Sequence, residues 1–283
     1  MSKHATLVAG LLLPMTVLAQ GQDSTPSERN IMIVAAALPG HFVNTNQVYF
    51  EGRLDVDEDD RHAPLTWRIE KTDDPRRFTL DIGDAVQGAI ELDVVADGDR
   101  LVAQIALDDG PACRYVWTRD AAQFKATAVT GCEAPLPSTL VLAEDQLWLY
   151  APSAATPWKL HRARKFTCHA DMPGVGGGRD VPYRRYDNLE LHDQGGAAWF
   201  TTAESPPRRL GVSMLLVDWP INNYEGVYAR DSLVIYVSEE TEAGRVEHGY
   251  AFTVPEADRI GINLKWLLAF CYRVSNTDAT PVF

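Results

Sequence analysis

The sequence predicts a mainly β protein, an antiparallel meander closing into a barrel or a sandwich and entered through a short N-terminal helix. Three observations predict it. From about residue 47 the apolar period is two rather than 3.6, in short segments rich in β-branched and aromatic residues. Turn-forming groups such as "DDP", "ADGD" and "DDGP" punctuate these segments. No helical stretch separates them, which argues for antiparallel neighbours rather than crossover units.

Taken in order, the first element is not structural. Lys3 and His4 precede the apolar run "ATLVAGLLLPMTVLA", and the small residue Ala19 ends it. This is the pattern of a secretory signal (1–19) cut after about Ala19. The run is shorter than the roughly 20 residues of a spanning helix. A periplasmic or secreted protein without a membrane span is expected. Residues 20–28, "QGQDSTPSE", read as a polar linker. In "SERNIMIVAAALPG", Ser27 is placed to cap a short helix that Pro39-Gly40 stops. Strands follow at "QVYFEGRLDV", "LTWRIEK", "RFTLDI", "AIELDVVA", "RLVAQIALD", "RYVWT", "QFKATAV" and "QLWLY", which places the barrel over 29–150. The stretch 151–187, rich in Pro, Gly and Arg, reads as an irregular connection. Strands resume over 188–283, from "NLELHD" to "IGINLKWLLAFCYR", as a β-rich extension packed on the barrel. "PEADR" in that half has room for one helical turn.

Export bears on the four cysteines, which allow three pairings outside the cytosol. Cys113 and Cys132 flank one hairpin and are paired on that ground. Cys168 is left with Cys271, a bridge from mid-chain to the last strand. No C-x-x-C and no paired-His spacing favours a metal site. The net charge of −13, from 39 acidic against 26 basic residues, argues against nucleic acid or an anionic membrane as partner.

Catalytic signatures are sparse. There is no G-x-S-x-G elbow, HExxH, Walker loop or dinucleotide fingerprint. "GVGGGR" (174–179) lacks the Lys-Ser/Thr of a phosphate cradle and reads as a loop. His192-Asp193, before Gly195-Gly196, has the chemistry of a general base or a ligand pair. Its plainer reading is a turn capped by Asp193, with His192 at the surface. A hydrolase using this pair with Ser213 or Ser232 ranks last, since nothing places a nucleophile beside the histidine. Aromatics alternate on the strands: Trp67 opposite Arg68, Tyr115 with Trp117, Trp148 with Tyr150. A barrel lined by such rings, with a few inward Arg or His groups, suits a flat, acid-bearing ligand such as a tetrapyrrole.

The segment "CRYVWTRDAAQFKATAVTGCEAPLPSTLVLAEDQLWLY" resembles the middle of the CpcT/CpeT-type chromophore lyases, the bilin lyases of phycobiliprotein assembly. The likeness lies in Cys113, the Arg119-Asp120 turn, Phe124 to Thr127, and Cys132. Upstream, "LPGHFVNTNQ" is similar to the family's G-x-F-S-N-x-x-Q at Gly40, Phe42, Asn44 and Gln47. The resemblance spans about residues 29–150. "PLTWRIEK" and "DPRRFTLDI" stand where the family has its Glu-Gln strand and its arginine strand. The resemblance implies a calycin-like barrel with an apolar pocket. The expected ligand is a hydrophobic molecule, by resemblance a bilin, which a lyase would present to a cysteine of an acceptor protein. The other reading is a non-catalytic carrier for a lipid or other apolar ligand, with a homodimer as its compatible assembly. The expected ligand-binding residues are Asn44, Gln47, Trp67, Arg68, Trp117, His192, Asp193 and Arg259.

Overall fold

The computed structural model describes residues 25–275, apart from 55, 84–85, 96–99, 109, 131, 133, 153, 174–181 and 218–230. The proposed signal and the glycine-rich segment 174–179 thus lie outside the described residues. Helix α1 (Pro26–Ala37) is capped by Thr25, two residues before the expected Ser27. Thr25 accepts from the backbone of Glu28, whose carboxylate takes the Thr25 N–H in return, a capping box with Pro26 in the first turn. Ile31, Val34 and Ala37 form its buried face, and Pro39 ends it.

Ten strands then wind into a closed, wholly antiparallel barrel. They are β1 (Gly40–Val43), β2 (Thr66–Lys71), β3 (Arg77–Ile82), β4 (Val86–Val95), β5 (Arg100–Leu107), β6 (Cys113–Asp120), β7 (Gln123–Thr130), β8 (Thr139–Leu142), β9 (Gln146–Tyr150) and β10 (Trp158–Arg162). Each pairs with its neighbours in sequence, and β1 closes the ring against both β2 and β10, with Phe42 opposite Trp67 on one side and Arg162 on the other. Inward positions follow the period of two. Trp67 and Ile69, Phe78 and Leu80, Ile90 and Leu92, Tyr115 and Trp117, Leu147 and Leu149 are buried. Burial of each such side chain contributes about 1.5–3 kcal/mol, so these inward rows are the main source of barrel stability. α1 lies across the end where β1 begins, and its apolar face joins this core.

Two expectations about the barrel strands need correction. "QVYFEGRLDV" is not a strand. It carries helix α2 (Thr45–Glu51), which starts after Asn44. Asn44 is buried and bridges the crossover to β2, donating to Ala63 O and accepting from Leu65 N; this fixed geometry overrides the β propensity of Val48, Tyr49 and Phe50. The stretch 151–187 is also less irregular than expected. It holds β10, which completes the barrel, and β11 (Lys165–Met172).

The second half forms two four-stranded antiparallel sheets packed face to face. The first is ordered β12 (Arg184–His192), β11, β18 (Leu268–Arg273), β17 (Arg259–Asn263). The second is ordered β13 (Gln194–Thr201), β14 (Arg209–Val217), β15 (Ser232–Thr241), β16 (Gly244–Thr253). Phe166, Leu210, Val212, Ile235 and Ala269 fill the space between them. "PEADR" forms a turn, closed by Ala257 N to Val254 O, rather than a helical turn. Both cysteine pairings are as expected: Cys113–Cys132 ties β6 to the end of β7, and Cys168–Cys271 joins directly opposed residues of β11 and β18. Among the described residues no helix is long and apolar enough to cross a membrane.

Candidate functional sites in the lumen and at the junction

The lumen is apolar through its middle. Its two polar atoms of note lie on β6. Tyr115 donates its hydroxyl to Pro137 O, and burial pushes its ionisation well above the ordinary tyrosine range. Trp117, 5% exposed, has its indole Nε1 buried with no hydrogen-bond partner. An unmade hydrogen bond at a buried donor costs about 1–3 kcal/mol. Among the described residues, charge enters the inward rows only at the α1 end. There Lys71 lies opposite Phe78, Arg119 opposite Phe124, and Arg162 opposite Phe42. Arg162 donates to Ala37 O and Pro39 O at the end of α1 and to Glu144 O, with its guanidinium 4.5 Å above the Phe42 ring. Burial pulls its pKa down to about 10, against the opposing pull of Asp145 and Glu144.

A second polar group lies where the barrel meets the sandwich. The β12–β13 turn packs on β1 and α2. His192 meets His41 edge-on at 4.6 Å, and Thr45 and Asn46 donate to the backbone of Gln194 and Leu216. Asp193 is fully buried. Its carboxylate accepts from the backbone and the guanidinium of Arg164. Burial lowers the His192 pKa; Asp193 opposes this and Arg68 adds to it. The imidazole accepts from Gln194 N at 3.3 Å. His192 therefore sits in the domain junction rather than at the free surface. Arg164 Nη2 and Gln194 Nε2 are buried here without partners.

The expected site residues fall into four places. Trp67 and Trp117 are in the lumen. Arg68 faces outward, 4.0 Å from Asp81, and joins His192 and Asp193 at the junction. Asn44 and Gln47 brace the barrel's other end. Gln47 donates to Pro157 O and accepts from Lys159 N, beside a His62 that meets Glu51 at 2.7 Å. Arg259 is exposed at the edge of the first sandwich sheet, opposite Tyr272. Ser213 accepts from Arg245. Sequence reasoning missed Arg164, Gln194 and Asn46. The partner of Asp193 lies 29 residues upstream, and no local pattern marks such a pair. Among the described residues, no group of three or more His, Cys, Asp or Glu side chains is placed to hold a metal ion.

Compared with family models, with curated proteins and with solved structures, the chain has no match.

Proposed function

We propose that the barrel holds an apolar molecule bearing a carboxylate, with its body among the lumen aromatics and its acid group at the α1 end. The observation that carries this reading is the buried, partnerless indole N–H of Trp117. It stands one inward row below Arg119 and near the other basic rim positions. An acceptor oxygen there would satisfy the donor, and the rim cations favour that oxygen's being anionic. Strand number supports the same reading. Eight strands enclose an interior that side chains fill or one small ligand occupies, and ten enclose a wider one. A fatty acid and a tetrapyrrole both belong to this chemical class.

The lyase reading asks for a charged pair deep in the pocket. Arg68, its candidate for a propionate partner, faces outward beside Asp81, so the geometry favours a carrier over a catalyst. The test is a titration of the full chain with a fluorescent fatty acid and, separately, with biliverdin. Saturable one-to-one binding, weakened about 2- to 10-fold by Trp117→Phe through one lost hydrogen bond and further by Arg119→Ala, is expected. Absence of binding by either probe, or affinity indifferent to both substitutions, would refute the reading.

A further inference from the structure

The outer face of the first sandwich sheet carries three aromatic rings that the lumen reading does not use. His169 on β11 lies beside Phe270 and Tyr272 on β18, at centroid distances of 5.9 and 6.1 Å and interplanar angles of 30° and 21°. Phe270 and Tyr272 are 36% and 46% exposed, which sets two large aromatic side chains at the surface. Phe270 does not stand up from the sheet. A Cβ at Gly261 on β17 would collide with its ring, so the ring lies across that glycine. His169 lies within 30° of the Phe270 plane and 21° of the Tyr272 plane, so the three rings form one inclined aromatic platform on this face.

The platform is built to be rigid. Cys168 and Cys271, each adjacent in sequence to a platform residue, are bonded directly beneath it and staple the two strands that carry the rings. Its flanks are polar but charge-compensated. Arg185 forks onto Asp171 at 2.7 and 2.8 Å and lies 3.9 Å from Asp187, while Arg259 stands opposite Tyr272. The Arg185 hydrogen bonds, more than its charge, hold the Asp171 carboxyl below the usual range, so it remains an acceptor. Flat ring faces attract the weakly positive C–H face of a sugar through the ring quadrupole. Planar guanidinium and carboxylate groups at the margin suit vicinal hydroxyls. The balance of charge selects a neutral ligand over an anion.

We infer that this face is a saccharide-binding platform for a neutral, β-1,4-linked hexopyranose chain, whose equatorial substituents leave flat C–H faces exposed. The reading is independent of the barrel's ligand. The experiment is calorimetric titration of the full chain with cellohexaose, with sedimentation of the same samples. Expected is saturable binding, weakened about three- to tenfold by Phe270→Ala and by Tyr272→Ala, with unchanged near-ultraviolet dichroism. Gly261→Ala, which keeps every ring but displaces Phe270, should weaken binding as well. No heat at millimolar cellohexaose, or binding unchanged in the Phe270→Ala/Tyr272→Ala double variant, would overturn the inference. So would concentration-dependent dimerisation lost in that variant with no saccharide bound, which would make the face a contact between copies of the chain.

Discussion

Arg162 is the point where the barrel and its helical cover are joined, and its removal tests how α1 is held. The guanidinium donates to Ala37 O, Pro39 O and Glu144 O. Ala37 and Pro39 flank the end of α1, where helix carbonyls lack intrahelical partners. Charge-assisted bonds of this kind contribute about 1.5–3 kcal/mol each. Against them stands the cost of burying the cation, seen in the fall of its pKa to about 10, which corresponds to about 3 kcal/mol. The balance gives Arg162→Ala a loss of about 2–6 kcal/mol, and a melting temperature lower by about 4–24 °C for a protein of this size. The loss should be local before it is global. Amide exchange over α1 should accelerate far more than over β3 or β4, because α1 is held by one apolar face and this latch. Arg162→Lys keeps the charge but not the fork, and should recover only part of the protection. Equal exchange of α1 in wild type and Arg162→Ala would refute the latch.

Three further outcomes follow from the same structure. The Cys168–Cys271 bridge spans 103 residues and Cys113–Cys132 spans 19, so serine replacement of the longer pair should cost about 4–5 kcal/mol and of the shorter about 3 in chain-entropy terms; urea unfolding of each variant measures the order. Asp193→Asn leaves the Arg164 guanidinium half-buried without its counter-charge and should cost about 2–4 kcal/mol, with loss of protection at the barrel–sandwich junction rather than in the lumen. Glu239 is held at about 2, chiefly by its Arg208 hydrogen bonds and also by His248. Its folded value lies below its ordinary 4.5, so its contribution is complete above that value and lost as pH falls from there through about 2. The pH dependence of unfolding over that window should flatten in Glu239→Gln.

The barrel strands were legible because their inward residues are large and their outward ones polar. "RYVWT" reads as a strand since Tyr115 and Trp117 face one core and Arg114 faces water. α2 was not legible, because Val48, Tyr49 and Phe50 favour a strand locally and only the Asn44 bridge to Ala63 and Leu65, about 20 residues on, imposes the helix. "WKLHR" hid β10 for a related reason: Leu160 alone is fully buried, and Arg162 takes an inward position that only α1 explains. The cysteine pairs were legible because a hairpin leaves one plausible partner. The junction was half legible. His192-Asp193 stood out as a pair, yet Arg164 and Gln194 meet them only through the docking of sandwich on barrel. Arg259 was singled out for a pocket, whereas the fold sets it at the margin of an exposed aromatic sheet face.

The most direct measurement is the intact mass of the protein purified without denaturant, taken by native mass spectrometry before and after extraction with organic solvent. Expected is a bound apolar acid, removed by extraction, rebound at one per chain, and held more weakly by Trp117→Phe. A bare mass in native preparations, with no rebinding of a fatty acid or a tetrapyrrole to the extracted chain, would contradict it.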